Sequence, residues 1–283
     1  MSKIENQYTT IITPDRKLFE LNIKDILRYK DLYSMFVRKD VVTVYKQTVL
    51  GPIWFFVQPI FTTLIYILVF NRIAKIPTSG IPPVLFYMSG IVIWNYFSES
   101  FNMTSKTFKE NADLFGKVYF PRIIVPLSKI TSGLIKFLIQ LLLFFGFYVY
   151  FLVKGEVTLN LGPSILLVPF LLIIMAGLGM GAGLVFTSLT AKYRDLTFLL
   201  QFGVQLLMYA TPVIYPLSSV PDSMRGYITN NPITGVVENF RSVFLGSDLQ
   251  LNLLVYSSVF MILLLFFGLL VFNKTEKSFM DTV

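Results

Sequence analysis

The chain has 283 residues, 54% of them hydrophobic and only 14% charged, with 24 basic against 16 acidic side chains and a mean hydropathy of +0.67. A soluble domain carries about 25% charged residues, so this composition excludes an ordinary soluble fold. There is no Cys and no His, which removes disulfides, thiol chemistry, the commonest general base and the commonest zinc ligand.

Residues 1–52 read as a cytoplasmic tail ending in an amphipathic helix. No cleavable signal peptide is expected, because the first apolar run starts near residue 53 after a long charged stretch. Between Ile23 and Tyr45, the side chains of Ile23, Ile26, Leu27, Tyr33, Val37, Val41 and Val44 fall within a helical stripe of roughly 120°. Lys24, Arg28, Lys39 and Lys46 fall away from it, and Lys30, which breaks the pattern, is long enough to snorkel. Such a helix suits the surface of an anionic inner leaflet, so interfacial placement is expected. The alternative is a helix packed on the protein's own core.

Six apolar runs follow within residues 53–272: Ile53 to Phe70, Val84 to Phe101, Leu134 to Val153, Ile165 to Leu189, Leu196 to Tyr215 and Leu251 to Phe272. Each has roughly the 17–25 residues that a helix needs to cross a bilayer. They are continuous rather than alternating, which favours helices over a barrel. Pro59 predicts a kink in the first run. In the fourth, Gly177 with Gly181 and Gly179 with Gly183 form two overlapping GxxxG pairs. These permit close helix approach, expected within one subunit, with a dimer seam as the alternative. Glu99 and Lys136 lie near the ends of their runs and are expected to pair or snorkel. Residues 273–283 form a second cytoplasmic tail.

Two loops are long enough to carry function. From about Asn102 to Leu127 a short polar helix precedes a proline-punctuated return to the membrane. From about Pro216 to Gln250 the chain contains an amphipathic stretch that is too short and too polar to cross. There Ile233, Val236, Val237, Phe240, Val243 and Phe244 share one face, and Glu238 and Arg241 are expected to pair on the opposite one. Re-entrant helices broken at Asn230-Asn231-Pro232 are expected, with a helix flat on the outer surface as the alternative. If the first tail is cytoplasmic, 19 of the 24 basic residues lie inside and five outside. The positive-inside rule therefore places both termini in the cytoplasm. It also accounts for the net charge of +8 without nucleic acid as a partner.

No P-loop motif is present, so the chain is not expected to hydrolyse ATP, and no acid/base constellation of an enzyme is visible. The 28 Phe, 15 Tyr and 2 Trp are compatible with interface belts. They also suit a sugar conduit, where rings stack on pyranose faces. Trp54, Gln58, Tyr66 and Tyr209 are the candidates for a conduit or for substrate access.

Several motifs stand in order along the chain: Tyr45-Lys46-Gln47-Thr48-Val49-Leu50-Gly51-Pro52-Ile53-Trp54, then Gln58-Pro59, Tyr66 and Val69-Phe70. Asn111-Ala112-Asp113-Leu114-Phe115 with Lys117-Val118-Tyr119-Phe120-Pro121-Arg122 comes next. Tyr193-Arg194-Asp195-Leu196, Thr211-Pro212-Val213-Ile214-Tyr215-Pro216, Asn231-Pro232-Ile233-Thr234 and Phe240-Arg241 complete the set. On these residues the chain resembles, over nearly its whole length, the membrane subunit of ABC-2 type exporters for lipid-linked polysaccharide such as O-antigen, capsule or teichoic acid. Thr211 departs from the more usual Ser, and the N-terminal tail is somewhat long. The resemblance implies an all-α integral membrane protein of six transmembrane helices that forms a homodimer in the inner membrane. Each subunit would dock on a separate cytoplasmic ATPase that binds ATP and Mg. The implied cargo is a polymer on undecaprenyl diphosphate. Drug or small-lipid ABC-2 permeases and a membrane-embedded glycolipid enzyme are the alternatives. The resemblance further implies ATPase coupling through Lys109, Glu110, Asp113, Leu114, Phe115, Arg122, Arg194 and Asp195, with Leu114 and Phe115 as the apolar anchors. It implies an outer gate at Asn231, Pro232, Ile233, Val237, Phe240 and Arg241. No cofactor is expected in the chain itself.

Overall fold

A computed structural model describes residues 23–46, 51–158, 162–193 and 195–279. The motif residues Gln47 to Leu50 and the coupling candidate Arg194 lie outside the described residues. Every regular element among the described residues is helical.

The chain enters through α1 (Ile23–Arg28) and α2 (Lys30–Lys46), separated at Tyr29. The expected single helix is thus two, and its stripe is rotated. The face of α2 that packs on the bundle centres on buried Phe36, while Leu27 and Met35 are exposed. Tyr33 bonds Thr131, and Asp40 accepts from Lys129 at 2.8 Å. The helix therefore packs along the protein's own wall through one face.

Next come α3 (Trp54–Tyr66), continued by wider π turns over Ile67–Ile73, and α4 (Pro83–Ser105). Two short helices, α5 (Thr107–Glu110) and α6 (Ala112–Lys117), lead to α7 (Ile124–Val153). The remaining helices are α8 (Leu167–Lys192), α9 (Leu196–Tyr209), α10 (Asp222–Thr229), α11 (Pro232–Leu245) and α12 (Leu251–Phe279). Among the described residues, four stretches are long and apolar enough to cross a membrane: Trp54–Ile73, Ile124–Val153, Pro163–Lys192 and Leu251–Lys277.

The second and fifth runs differ from those four for identifiable reasons. The 23 residues of α4 cover about 35 Å at 1.5 Å per residue, but Asn95, Ser98, Glu99, Ser100 and Asn102 lower their hydropathy. Helix α9 ends at Tyr209, not at the expected Tyr215. Pro212 has no N–H for a helical bond and pushes Thr211 away from helical backbone. The 14 residues of α9 cover only about 21 Å. From Thr211 to Ile214 the chain is non-helical and buried.

Sixteen of the 23 residues of α4 are buried, which makes it the core of the bundle. Helix α8 lies between α4 and α12, and its glycines permit this. A Cβ at Gly179 or Gly183 would meet Ser100 or Thr104 of α4. One at Gly177 or Gly181 would meet Met261 or the Leu264–Leu265 backbone of α12. Both GxxxG pairs are therefore used within one chain. A second, aromatic cluster closes one end of the bundle: Phe36, Phe108, Phe115, Phe120 and Phe272 gather beneath α2. At the opposite end α11 packs against α4, α8 and α12, with the exposed α10 beside it.

Candidate functional site

Three regions collect the residues singled out from the sequence. The first is the α5–α6 loop at the α2 end. The N–H of Phe108 donates to Thr187 Oγ1 at 3.1 Å, which fixes α5 to the end of α8. The Phe108 ring stacks on Phe272 at 4.8 Å, tying the loop to α12 as well. Lys109, Glu110 and Asp113 point outward. Leu114 is half-buried, whereas Phe115 is only 3% exposed, packed against Phe108 and Phe120 with the Arg122 guanidinium 5.3 Å from its ring. Of the two expected anchors, Leu114 is thus the more accessible and Phe115 is packed inward. The period of α6 turns Phe115 inward, and the apolar surface left exposed is Val118 and Tyr119. Arg122 reaches across to α12, donating to the Glu276 carbonyl at 2.8 Å. Asp195 is exposed just before α9 at the same end.

The second region lies at the opposite end. Asn231 caps α11 by accepting from the N–H of Ile233 at 3.0 Å. Its amide also donates to the Ala210 carbonyl and to Thr211 Oγ1, tying the broken end of α9 to α11. Eleven of the 14 residues of α11 are buried, including all six of the expected apolar face. Glu238 and Arg241 do pair, at 3.0 Å. The opposite face is not open, however: Arg241 is 3% exposed. It donates to the Val213 carbonyl at 3.1 Å and sits 3.9 Å over the Phe86 ring. A buried guanidinium is tolerable only with such partners. Gly90 leaves the space, since a Cβ there would stand 2.8 Å from the Val213 oxygen and 3.0 Å from Arg241 Nη2. Burial pushes the Glu238 carboxyl above its ordinary range although Arg241 holds it down, and it lowers the Arg241 guanidinium. The Tyr87 hydroxyl and Arg241 Nε are buried without a hydrogen-bond partner among the described residues, positions suited to ordered water.

The third region is a lateral face. Only two of 13 residues of α3 and two of 14 of α9 are buried. Trp54 is 50% and Tyr209 46% exposed, and Gln58, one turn after Trp54 on α3, is exposed as well. Tyr66 is half-buried, its hydroxyl on Met208 Sδ of α9 at 3.3 Å. Gln201 and Gln205 are exposed on α9. Helix α4, which touches both α3 and α9, adds half-exposed Asn95, Ser98 and Asn102. Sequence reasoning passed over these three, although their i, i+3, i+7 spacing marks one helical face. Glu99 and Lys136 pair with each other at 3.0 Å, as expected.

Residues 32–245 match the family profile described as ABC-2 type transporter. The chain is 25% identical over 251 residues to an O-antigen export system permease protein of Klebsiella pneumoniae, covering 89% of this chain and 94% of that protein. A Myxococcus xanthus protein of the same description is 26% identical over 227 residues, covering 78% and 83%. A polysialic acid transport protein of Escherichia coli is 22% identical over 264 residues, covering 88% and 95%. With three quarters of its length inside the family profile, the chain belongs to the ABC-2 type transporter family.

Proposed function

We propose that this chain is the membrane subunit of an exporter that carries an undecaprenyl-diphosphate-linked polysaccharide, O-antigen-like, across the cytoplasmic membrane as a homodimer. A separate ATPase supplies the energy. The observation that carries this reading is the lateral face. Gln58, Gln201 and Gln205 are exposed on helices that otherwise suit lipid. An amide left without a partner in hydrocarbon costs several kcal/mol. A second copy of the chain across a water-filled conduit relieves that cost. Amides and rings such as Trp54 and Tyr209 are groups that bind sugars.

In this reading α4 and α9 are the second and fifth crossings. Residues 210–216 complete the short fifth one, where Asn231 and Arg241 satisfy backbone that no helix serves. α10 and α11 are re-entrant and form the outer gate with Asn231, Pro232, Ile233, Val237, Phe240 and Arg241. The α2 end is cytoplasmic, because it holds most of the basic side chains. There the ATPase docks on Lys109, Glu110, Asp113, Leu114 and the exposed Val118 and Tyr119, with Asp195 at the rim. Phe115 and Arg122 support the loop from beneath.

The deciding experiment deletes the gene and assays surface polysaccharide by immunoblot. Loss of surface glycan, with lipid-linked glycan accumulating inside and rescue by the intact gene, is expected. Unchanged surface glycan would defeat the reading.

A further inference from the structure

The seam between α3 and α7 holds two neighbouring cavities of opposite character. Nearer the α2 end, Asp40, Phe55, Glu99, Ser132 and Lys136 surround a recess of about 30 Å³. Two ion pairs bound it, Lys136 with Glu99 at 3.0 Å and Lys129 with Asp40 at 2.8 Å. Lys136 also lies 5.6 Å from the Phe55 ring centroid and keeps 23% of its side chain accessible. Further along α7 the wall turns apolar. Phe56, Leu142, Gly146, Phe147 and Tyr150 frame an open groove of about 480 Å³. Phe55 and Phe56 are consecutive, so one turn of α3 serves both cavities. From Lys136 to Leu142 is about 9 Å along the helix. Gly146 faces open space in this groove, since a Cβ there would meet nothing within 4 Å.

A partly accessible cation followed, one to two turns deeper, by an open apolar groove matches an amphiphile with an anionic head and a long chain. Bulk lipid against a plain helix wall explains the groove but not the accessible lysine near its end. An ion pair kept only for packing explains the lysine but not the groove. We propose that this seam binds a phosphate-headed lipid, the chain lying in the groove and the phosphate on Lys136. The recess has room for about one water, so the head sits at its open side and takes Lys136 from Glu99. The lipid is the polyisoprenyl carrier of the glycan, an identity that rests on the exporter reading above.

The test uses the full-length chain with the subunits that co-purify with it, in phosphatidylcholine nanodiscs doped with polyisoprenyl phosphate or with phosphatidylglycerol. Native mass spectrometry counts the bound lipid. Wild type is expected to prefer polyisoprenyl phosphate at least tenfold. Lys136→Gln and Gly146→Trp should each lower that binding at least tenfold, the latter without a clash. Glu99→Gln breaks the same ion pair but frees the cation, so it should raise binding. A fall in Glu99→Gln equal to that in Lys136→Gln makes the pair structural and overturns the head site. Unchanged binding in Gly146→Trp overturns the groove. Equal binding of phosphatidylglycerol overturns the carrier assignment. Gene deletion separates the two ideas. If the deleted strain loses surface glycan while the seam shows no such binding, only this inference falls. If it keeps its glycan, the exporter reading falls whatever the seam binds.

Discussion

Arg241 shows what a single buried charge requires. Its guanidinium meets a carboxylate, a carbonyl and an aromatic face, supplied by α11, by the non-helical stretch after α9 and by α4. Removing one partner of such a pair leaves the other uncompensated, so Arg241→Met should destabilise the protein by about 3–5 kcal/mol. Replacing both partners, Glu238→Leu with Arg241→Met, should recover much of that loss if the pair only stabilises. Apparent melting temperatures of the purified protein decide it: a double variant as unstable as the single one means that Arg241 is needed for its bond to Val213. At the other end, Phe115 and Tyr119 separate two roles that their motif runs together. Phe115→Ala should lose about 3–5 kcal/mol of stability with or without a partner, because it opens a cavity among Phe108, Phe120 and Arg122. Tyr119→Ala should leave the melting temperature within about 1 °C and weaken retention of the ATPase by about 1–2 kcal/mol, read from co-purification. The reverse pattern would return Phe115 to the docking surface.

Among the elements, α8 is held on two sides. Its glycines bring it against α4 on one side and α12 on the other. An added methyl at Gly181 would stand 2.9 Å from the Leu264 carbonyl carbon, and one at Gly235 of α11 would stand 2.5 Å from the Leu253 carbonyl oxygen. Gly181→Ala and Gly235→Ala should each cost about 1–3 kcal/mol through forced backbone shifts. Gly203 of α9 meets nothing within 4 Å, so Gly203→Ala should stabilise by about 0.5–1 kcal/mol through helix propensity alone. Thermal unfolding of the three variants checks the order, and a stable Gly181→Ala would mean that α8 and α12 can separate freely. The two GxxxG pairs were legible in the sequence as contact sites. Which partner each one meets was not, since spacing alone does not tell an α12 of the same chain from a helix of another.

At the scale of the molecule, α4 sits inside and α3 and α9 sit outside, with polar side chains on an uncovered face. If two copies meet across that face, single cysteines at Gln58 or Gln201 should cross-link between subunits in a membrane, because the native chain has no Cys to interfere. Oxidised membranes run on a non-reducing gel should show a dimer band that reductant removes. Cysteines at Leu142 and Phe260, on other exposed surfaces, should give none. Equal cross-linking at all four positions would remove the assignment of the face.

Much of this was determined by sequence alone. A long apolar run has few places to go other than a membrane, and in hydrocarbon its backbone must become helical. The basic bias of the loops is likewise a count, independent of packing, and so is the family resemblance carried by ordered motifs. Tertiary structure decided the rest. The end of α9 at Tyr209 follows from Pro212, but its tolerance depends on Asn231 and Arg241, which lie some twenty to thirty residues away. The inward turn of Phe115 depends on Phe108, Phe120 and Phe272 arriving together, and the burial of Arg241 depends on a space that Gly90 leaves on another helix. Local periodicity shows that a face must be covered. What covers it is set by contacts between residues distant in the chain, and those exist only once the helices have packed.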